Sequence, residues 1–207
     1  MALRPQPSPA IIAAPGGEPI LPPLGARVTE ASVEQLQAEI ARLKAELEAA
    51  QALAERDVLT PVLNRRGFVR ELGRAMAFCR RHGTTAVLLY LDLNGFKAIN
   101  DRLGHAAGDA ALVRTAEILT ANLRESDAVG RLGGDEFALL LLGADAATGR
   151  DKADSLIERL AADGFDWNGQ TVPLGGAFGV RAFTDQDDPE TWLAEADAAM
   201  WTSKPGR

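Results

Sequence analysis

Apolar side chains follow no period over residues 1–28, a stretch that holds most of the chain's eleven prolines. That composition predicts a flexible or extended arm, which could carry a docking peptide for a protein partner. From Val33 the pattern becomes a seam: Val33, Leu36, Ile40, Leu43, Leu47, Ala50 and Ala54 recur at alternating spacings of three and four. This is a heptad repeat, and it predicts a helix over 29–56 whose apolar stripe either meets a second copy or packs on its own domain. Val33, Ile40 and Leu47 at one seam position, with Leu36 and Leu43 at the other, favour a parallel two-stranded coil. Glu39 and Lys44 then fall where an ion pair across the coil would form.

At "DVLTPVLNRRGF" the seam stops, and 57–207 reads as an alternating α/β domain. A helix is predicted from near Pro61 or Asn64 to Arg81, closed by Gly83. "TAVLLYLDL" is a nearly continuous apolar run, the pattern of a central strand buried on both faces. A helix follows Asp109, with Leu112, Ala116, Leu119 and Leu123 along one face. "DAVGRL" and "FALLLL" predict two strands joined by a glycine turn. A helix at about 149–162, strand material at 171–183 and a last helix at 189–203 complete the order. The fold class that results is α+β, with helices on a partly antiparallel sheet.

The formal charge of −7 disfavours a broad basic surface for nucleic acid, which needs many Lys and Arg contacts to phosphate. Cys79 is the only cysteine, so neither an intrachain disulfide nor a cysteine metal cluster can form. No apolar stretch reaches the roughly 18 to 20 residues of a spanning helix. The expectation is a cytoplasmic protein with no membrane span.

The chemistry gathers in the acids. Asp92 lies near the end of the buried strand, and Asp135 and Glu136 lie at the tip of the hairpin "RLGGDEFALL". If those strands are neighbours, three carboxylates converge, and a hard divalent cation would relieve their repulsion. Gly133 and Gly134 would permit positive φ and a close backbone approach to phosphate. A tight glycine turn with solvated acids is the plainer alternative.

"LDLNGFKAINDRLGHAAGD" at 91–109, together with "RLGGDEF" and the leading "DVLT…NRR", closely resembles the GGDEF family of diguanylate cyclases, over about residues 57–207. The resemblance implies a mixed sheet similar to the nucleotidyl-cyclase and polymerase palm. It also implies condensation of two GTP into cyclic di-GMP and pyrophosphate. By that similarity Asp92, the Leu93 carbonyl and Asp135 would hold Mg²⁺ or Mn²⁺, two ions per half-site, and Asp135 would also accept the proton of the attacking hydroxyl. Glu136 matches the neighbouring acid, with direct participation or positioning of the turn as its role. Asn100 and Asp109 match the guanine readers; a carboxylate can accept guanine's adjacent N1–H and N2–H donors, which adenine lacks. His105 matches a substrate contact, or packs to orient the loop. Lys97 suits phosphate, or is an ordinary strand-end lysine. Each domain would bind one GTP, so the family resemblance gives the heptads a purpose in bringing two half-sites together as a homodimer. Arg124 and Asp127 of "RESD" stand where relatives carry an RxxD inhibitory site for the product; a local Arg–Asp pair closing the helix is the alternative. Arg159 is a candidate for a second inhibitory arginine supplied by the partner subunit.

Three departures stand out. Asn94 replaces an acid in the strand-end motif, "GGAFGVRAF" differs from the usual serine-isoleucine-glycine pattern, and the tail "ADAAMWTSKPGR" brings Arg207 one position early after Lys204 and Pro205. The tail changes put the triphosphate contacts of Lys204 and Arg207 in doubt. They sustain a second hypothesis, a degenerate cyclase that binds GTP or cyclic di-GMP as a signalling module. A third makes the coil and arm a scaffold. A variant making a mixed cyclic dinucleotide is disfavoured by Asp109.

Overall fold

The computed structural model describes residues 30–203. The chain divides into two units, residues 1–45 and 46–207. Helix α1, Glu30–Ala54, carries the predicted seam, and Val33, Leu36, Ile40, Leu43 and Leu47 along it are all exposed, from 40% to 61%. Glu39 pairs within the helix with Arg42 at 2.7 Å. The proline-rich arm lies outside the described residues.

The second unit holds a five-stranded sheet in the order β1-β3-β4-β2-β7. Its strands are β1 (Leu63–Asn64), β2 (Ala86–Leu93), β3 (Ala128–Gly133), β4 (Glu136–Leu142) and β7 (Gly176–Ala182). β1 runs parallel to β3 and the other pairings are antiparallel, the mixed sheet that the sequence predicts. β2 lies between β4 and β7, and its apolar run is explained by two cores. Val87, Leu89, Leu91 and Leu93 face one layer with α4 (His105–Ala121) and α5 (Ala146–Asp163). Leu88 and Tyr90 face the other, with α2 (Arg65–His82) and α6 (Pro189–Ser203). The strand period of two thus sorts the side chains between faces, and Asp92 falls on the α2/α6 side.

The helix ends follow the local chemistry. Asn64 caps α2 by accepting from the Gly67 amide at 3.0 Å, and Gly83 ends the helix at φ 64°. Two elements differ from the sequence reading. A separate helix α3, Phe96–Leu103, precedes α4, and α4 begins at His105 rather than after Asp109. The apolar stripe of α3 is short, Phe96, Ile99 and Leu103, and polar residues between them hide its period. Between α5 and β7 a small hairpin joins β5 (Phe165–Trp167) to β6 (Gln170–Val172) through Asn168 and Gly169, both at positive φ. That is the Asn-Gly signal of a two-residue turn.

α6 lies directly on β7 at Gly179, where a Cβ would stand 2.0 Å from the Ala196 carbonyl oxygen and 2.4 Å from the Met200 nitrogen. Both obstacles are backbone, so no rotamer relieves them. Gly179→Ala is expected to destabilise the domain by about 1–3 kcal/mol, seen as a lower urea midpoint; an unchanged midpoint would show that α6 can lift from the sheet without cost.

Candidate active site

β2 and β4 pair so that Asp92 faces Glu136 in register, and the Leu93 amide donates to the Asp135 carbonyl at 3.2 Å. The two strands are neighbours, so the hairpin tip and the end of the central strand meet. The three carboxylates do not gather: among the described residues, no three acids or other ligating side chains form a group able to hold an ion. Glu136 is turned aside. It accepts a hydrogen bond from the Tyr90 hydroxyl, and its Oε2 lies where a Cβ on Gly133 would come within 2.9 Å. Burial, then the charges of Glu136 and Asp197 and this hydrogen bond, push the Tyr90 hydroxyl well above its usual range, against the opposing charge of Arg65. Tyr90 is thus held as a donor, which supports the positioning role for Glu136.

The glycines of the turn also differ from expectation. Neither Gly133 nor Gly134 has positive φ. Gly133 makes room for Glu136, and a Cβ on Gly134 would meet open space. Positive φ is found instead at Gly95 (φ 69°) and Gly104 (φ 88°), one before each of α3 and α4. Gly95 turns the chain from β2 directly into α3, whose N-terminus has no side-chain cap.

Asp92, Asp135 and the Leu93 carbonyl remain as a set of hard oxygen donors at neighbouring strand ends. Two carboxylates and one carbonyl fit Mg²⁺, which leaves coordination for water and phosphate. Lys97 is the second residue of α3 and exposed, not a strand-end lysine. His105 is the first residue of α4 and exposed, so it is not packed to hold the loop. The Gly104 corner folds α3 against α4 and sets the Asn100 side chain against Gly108, the residue before Asp109. Lys204 and Arg207 lie outside the described residues.

Arg131 was not singled out in the sequence, and it holds the turn. Its Nε and Nη2 donate to the Gly134 carbonyl at 3.0 and 2.8 Å, and its Nη1 reaches Asp57 Oδ1 at 3.2 Å. The same Asp57 oxygen accepts from the Thr60 amide at 2.8 Å and the Thr60 hydroxyl at 2.7 Å. Asp57 follows two residues after the buried Glu55, which is paired with Arg70. A continuous polar chain thus leads from the segment after α1 to the residue before Asp135. Its sequence signals were the "DVLT" acid and the arginine before the glycines, each unremarkable alone.

Arg124 and Asp127 line a cavity of about 500 Å³ together with Thr148, Asp151 and Lys152. Asp127 accepts from the Arg124 amide at 3.1 Å and the Leu142 amide at 3.2 Å, so it pins the loop after α4 to β4 through the backbone, in place of a side-chain Arg–Asp pair. Lys152, which donates to the Asn122 carbonyl at 2.5 Å, is a second cation of this cavity that sequence reading missed. Arg159 is exposed on α5 and is not among the residues lining the cavity.

The molecule is therefore an α+β domain with an acidic site at one end of a helix-flanked mixed sheet. Residues 54–207 match the family described as diguanylate cyclase, GGDEF domain, and the chain belongs to that family. It is 40% identical over 178 residues to diguanylate cyclase TpbB of Pseudomonas aeruginosa, covering 84% of this chain but only 40% of that relative's length. The structure is similar to the coiled coil and GGDEF domain of DgcB from Caulobacter crescentus, solved with c-di-GMP. The TM-score is 0.71 at 26% identity, over 86% of this chain and 94% of that one. The GGDEF domain of TpbB gives a TM-score of 0.68 at 40% identity, over 72% of this chain and 87% of that one. No described helix is long and apolar enough to cross a membrane.

Burial opposes ionisation of Asp57, but the Thr60 hydrogen bonds and the Arg131 charge outweigh it and hold the carboxyl below its usual range. A carboxyl depressed in the folded state stabilises above its unfolded value, and that stability is lost as pH falls through the folded value. Asp57→Asn is expected to cost about 1–2 kcal/mol near neutral pH, with the difference from wild type vanishing in acid. Equal urea midpoints at neutral pH would refute the clamp.

Proposed function

We propose that the chain condenses two GTP molecules into cyclic di-GMP with release of pyrophosphate, acting as a homodimer joined through α1. The observation that carries this reading is the β2–β4 register, which puts Asp92 and Asp135 at one sheet end, beside the start of α3. Asp92, Asp135 and the Leu93 carbonyl would hold Mg²⁺ or Mn²⁺, two ions per half-site. Such an ion supplies polarisation of the α-phosphate and neutralises charge on the departing pyrophosphate. Asp135 accepts the proton of the attacking 3′-hydroxyl, its position set by Arg131 through the Gly134 carbonyl. Glu136, held by Tyr90, shapes the turn. Lys97 and the first amides of α3 take the phosphates, with Lys204 and Arg207 assisting from the tail. Asn100 and Asp109 select guanine, and His105 borders the same substrate.

The exposed seam of α1 supports the homodimer, because five large apolar side chains in heptad register favour burial against a second copy. Joining two half-sites raises their effective concentration for each other. The cavity at Arg124, Asp127 and Lys152 supports product inhibition, with Arg124 and Lys152 as cations for the phosphates of cyclic di-GMP. The arm of residues 1–28 would engage a protein partner. We place the activity in the cytoplasm, where GTP is available.

Purified protein with GTP and Mg²⁺ is expected to yield cyclic di-GMP, resolved from linear dinucleotide by chromatography, and none with Asp135→Ala. Bound GTP without turnover at any protein concentration would overturn catalysis and leave a binding module. Leu43→Asp on the α1 seam is expected to lower the rate more than tenfold at low protein concentration, with recovery as concentration rises. A rate independent of that substitution would remove α1 from dimerisation.

A further inference from the structure

A glycine inside a helix is less favourable than alanine, so Gly108, in the first turns of α4, calls for a cause. The cause is Asn100. A Cβ on Gly108 would lie 2.0 Å from Asn100 Oδ1, 2.9 Å from its Cγ and 3.3 Å from its Nδ2. The Asn100 amide therefore occupies the space that a side chain at 108 would fill, its oxygen foremost, one residue from Asp109. The main chain fixes this arrangement in series. The Gly104 amide donates to the Asn100 carbonyl at 2.9 Å, and the Gly108 amide donates to the Gly104 carbonyl at 3.3 Å. Gly104 itself, at φ 88° and ψ 163°, turns α3 back against α4.

We infer that Gly108 is a positioning residue for base recognition: its missing side chain is the seat that holds the Asn100 amide beside the Asp109 carboxylate, so that the two read one guanine edge together. The inference rests on the proposed guanine reading of Asn100 and Asp109. Guanine presents an acceptor next to two donors on one edge, so a carboxylate and an amide held at fixed separation recognise it better than either alone. A methyl group at 108 meets the far end of one side chain, not backbone. Asn100 can swing away, and the helix keeps its fold. Loss of base recognition is thereby separated from loss of stability.

The test measures calorimetric binding of non-hydrolysable GTP and ATP analogues, with Mg²⁺, to the full chain and its variants. Gly108→Ala is expected to weaken the GTP analogue about tenfold and to narrow its preference over the ATP analogue, while melting at or above the wild-type temperature. Asn100→Ala is expected to do the same. The double variant should bind no more weakly than Asn100→Ala, because without the amide there is nothing for the methyl group to displace. Wild-type affinity in Gly108→Ala overturns the role, as does a loss that adds fully to that of Asn100→Ala. Failure of Gly108→Ala to fold, seen by circular dichroism, overturns it too, since the glycine would then serve helix packing. A wild-type protein that binds both analogues alike defeats the guanine reading and this role with it, whereas guanine selectivity kept in Gly108→Ala defeats the role alone.

Discussion

The register of β2 against β4 is the constraint on which the rest of the molecule depends. β2 is buried on both faces, so its odd residues fill one core and its even residues the other. A slip of one residue would exchange the two sets and drive Asp92 toward α4 and α5. The cores thus prevent the slip, and in doing so they align Asp92 with Glu136 and Leu93 with Asp135. The precision of the acidic site is a by-product of apolar packing, which supplies the driving force that a cluster of like charges lacks.

What the packing brings together, polar contacts then orient. Tyr90 is anchored in the α2/α6 core and offers its hydroxyl to Glu136, so one acid of the hairpin is committed to the turn. Arg131 crosses from β3 to the Gly134 carbonyl and to Asp57, fixing the other side. Both members of the Asp57–Arg131 pair are mostly buried, which limits screening by solvent and gives the pair more weight than a surface bridge. Through Glu55, Asn64 and Gly67 the same region is bound to the start of α2, where the Asn64 amide donates to the Glu55 carbonyl at 2.8 Å. The turn beside Asp135 and the segment after α1 therefore share one polar network, so a shift in that segment would strain the turn.

The proposed base recognition has a different structural origin from the strand-end acids. It is built on the α3–α4 corner, where two left-handed glycines set helix directions and a third, Gly108, leaves space. The two halves are joined by the short path from Leu93 to Phe96 and by the apolar core that α3 and α4 share with β2. Changes in base preference and changes in the strand-end acids can therefore be separated by mutation.

Much of this was legible in the chain itself. The heptad seam, the buried strand at Ala86–Leu93, the glycine that ends α2 and the last helix at Pro189–Ser203 were all readable, because each rests on a local period or a capping residue. The acids at 92, 135 and 136 and the family motifs were equally plain. α3 was not, because its three apolar residues are too few to set a period among polar ones. The Asn168–Gly169 turn carries a local signal of the same kind. Only the tertiary structure decided which acid turns away, since that depends on Tyr90 lying two residues before Asp92 and across from the hairpin. It alone joined Arg131 to Asp57, 74 positions apart, and put Lys152 into the cavity with Arg124. Sequence determines period, caps and residue chemistry because these act between near neighbours; which distant side chains share a site follows from how the two cores close on the sheet.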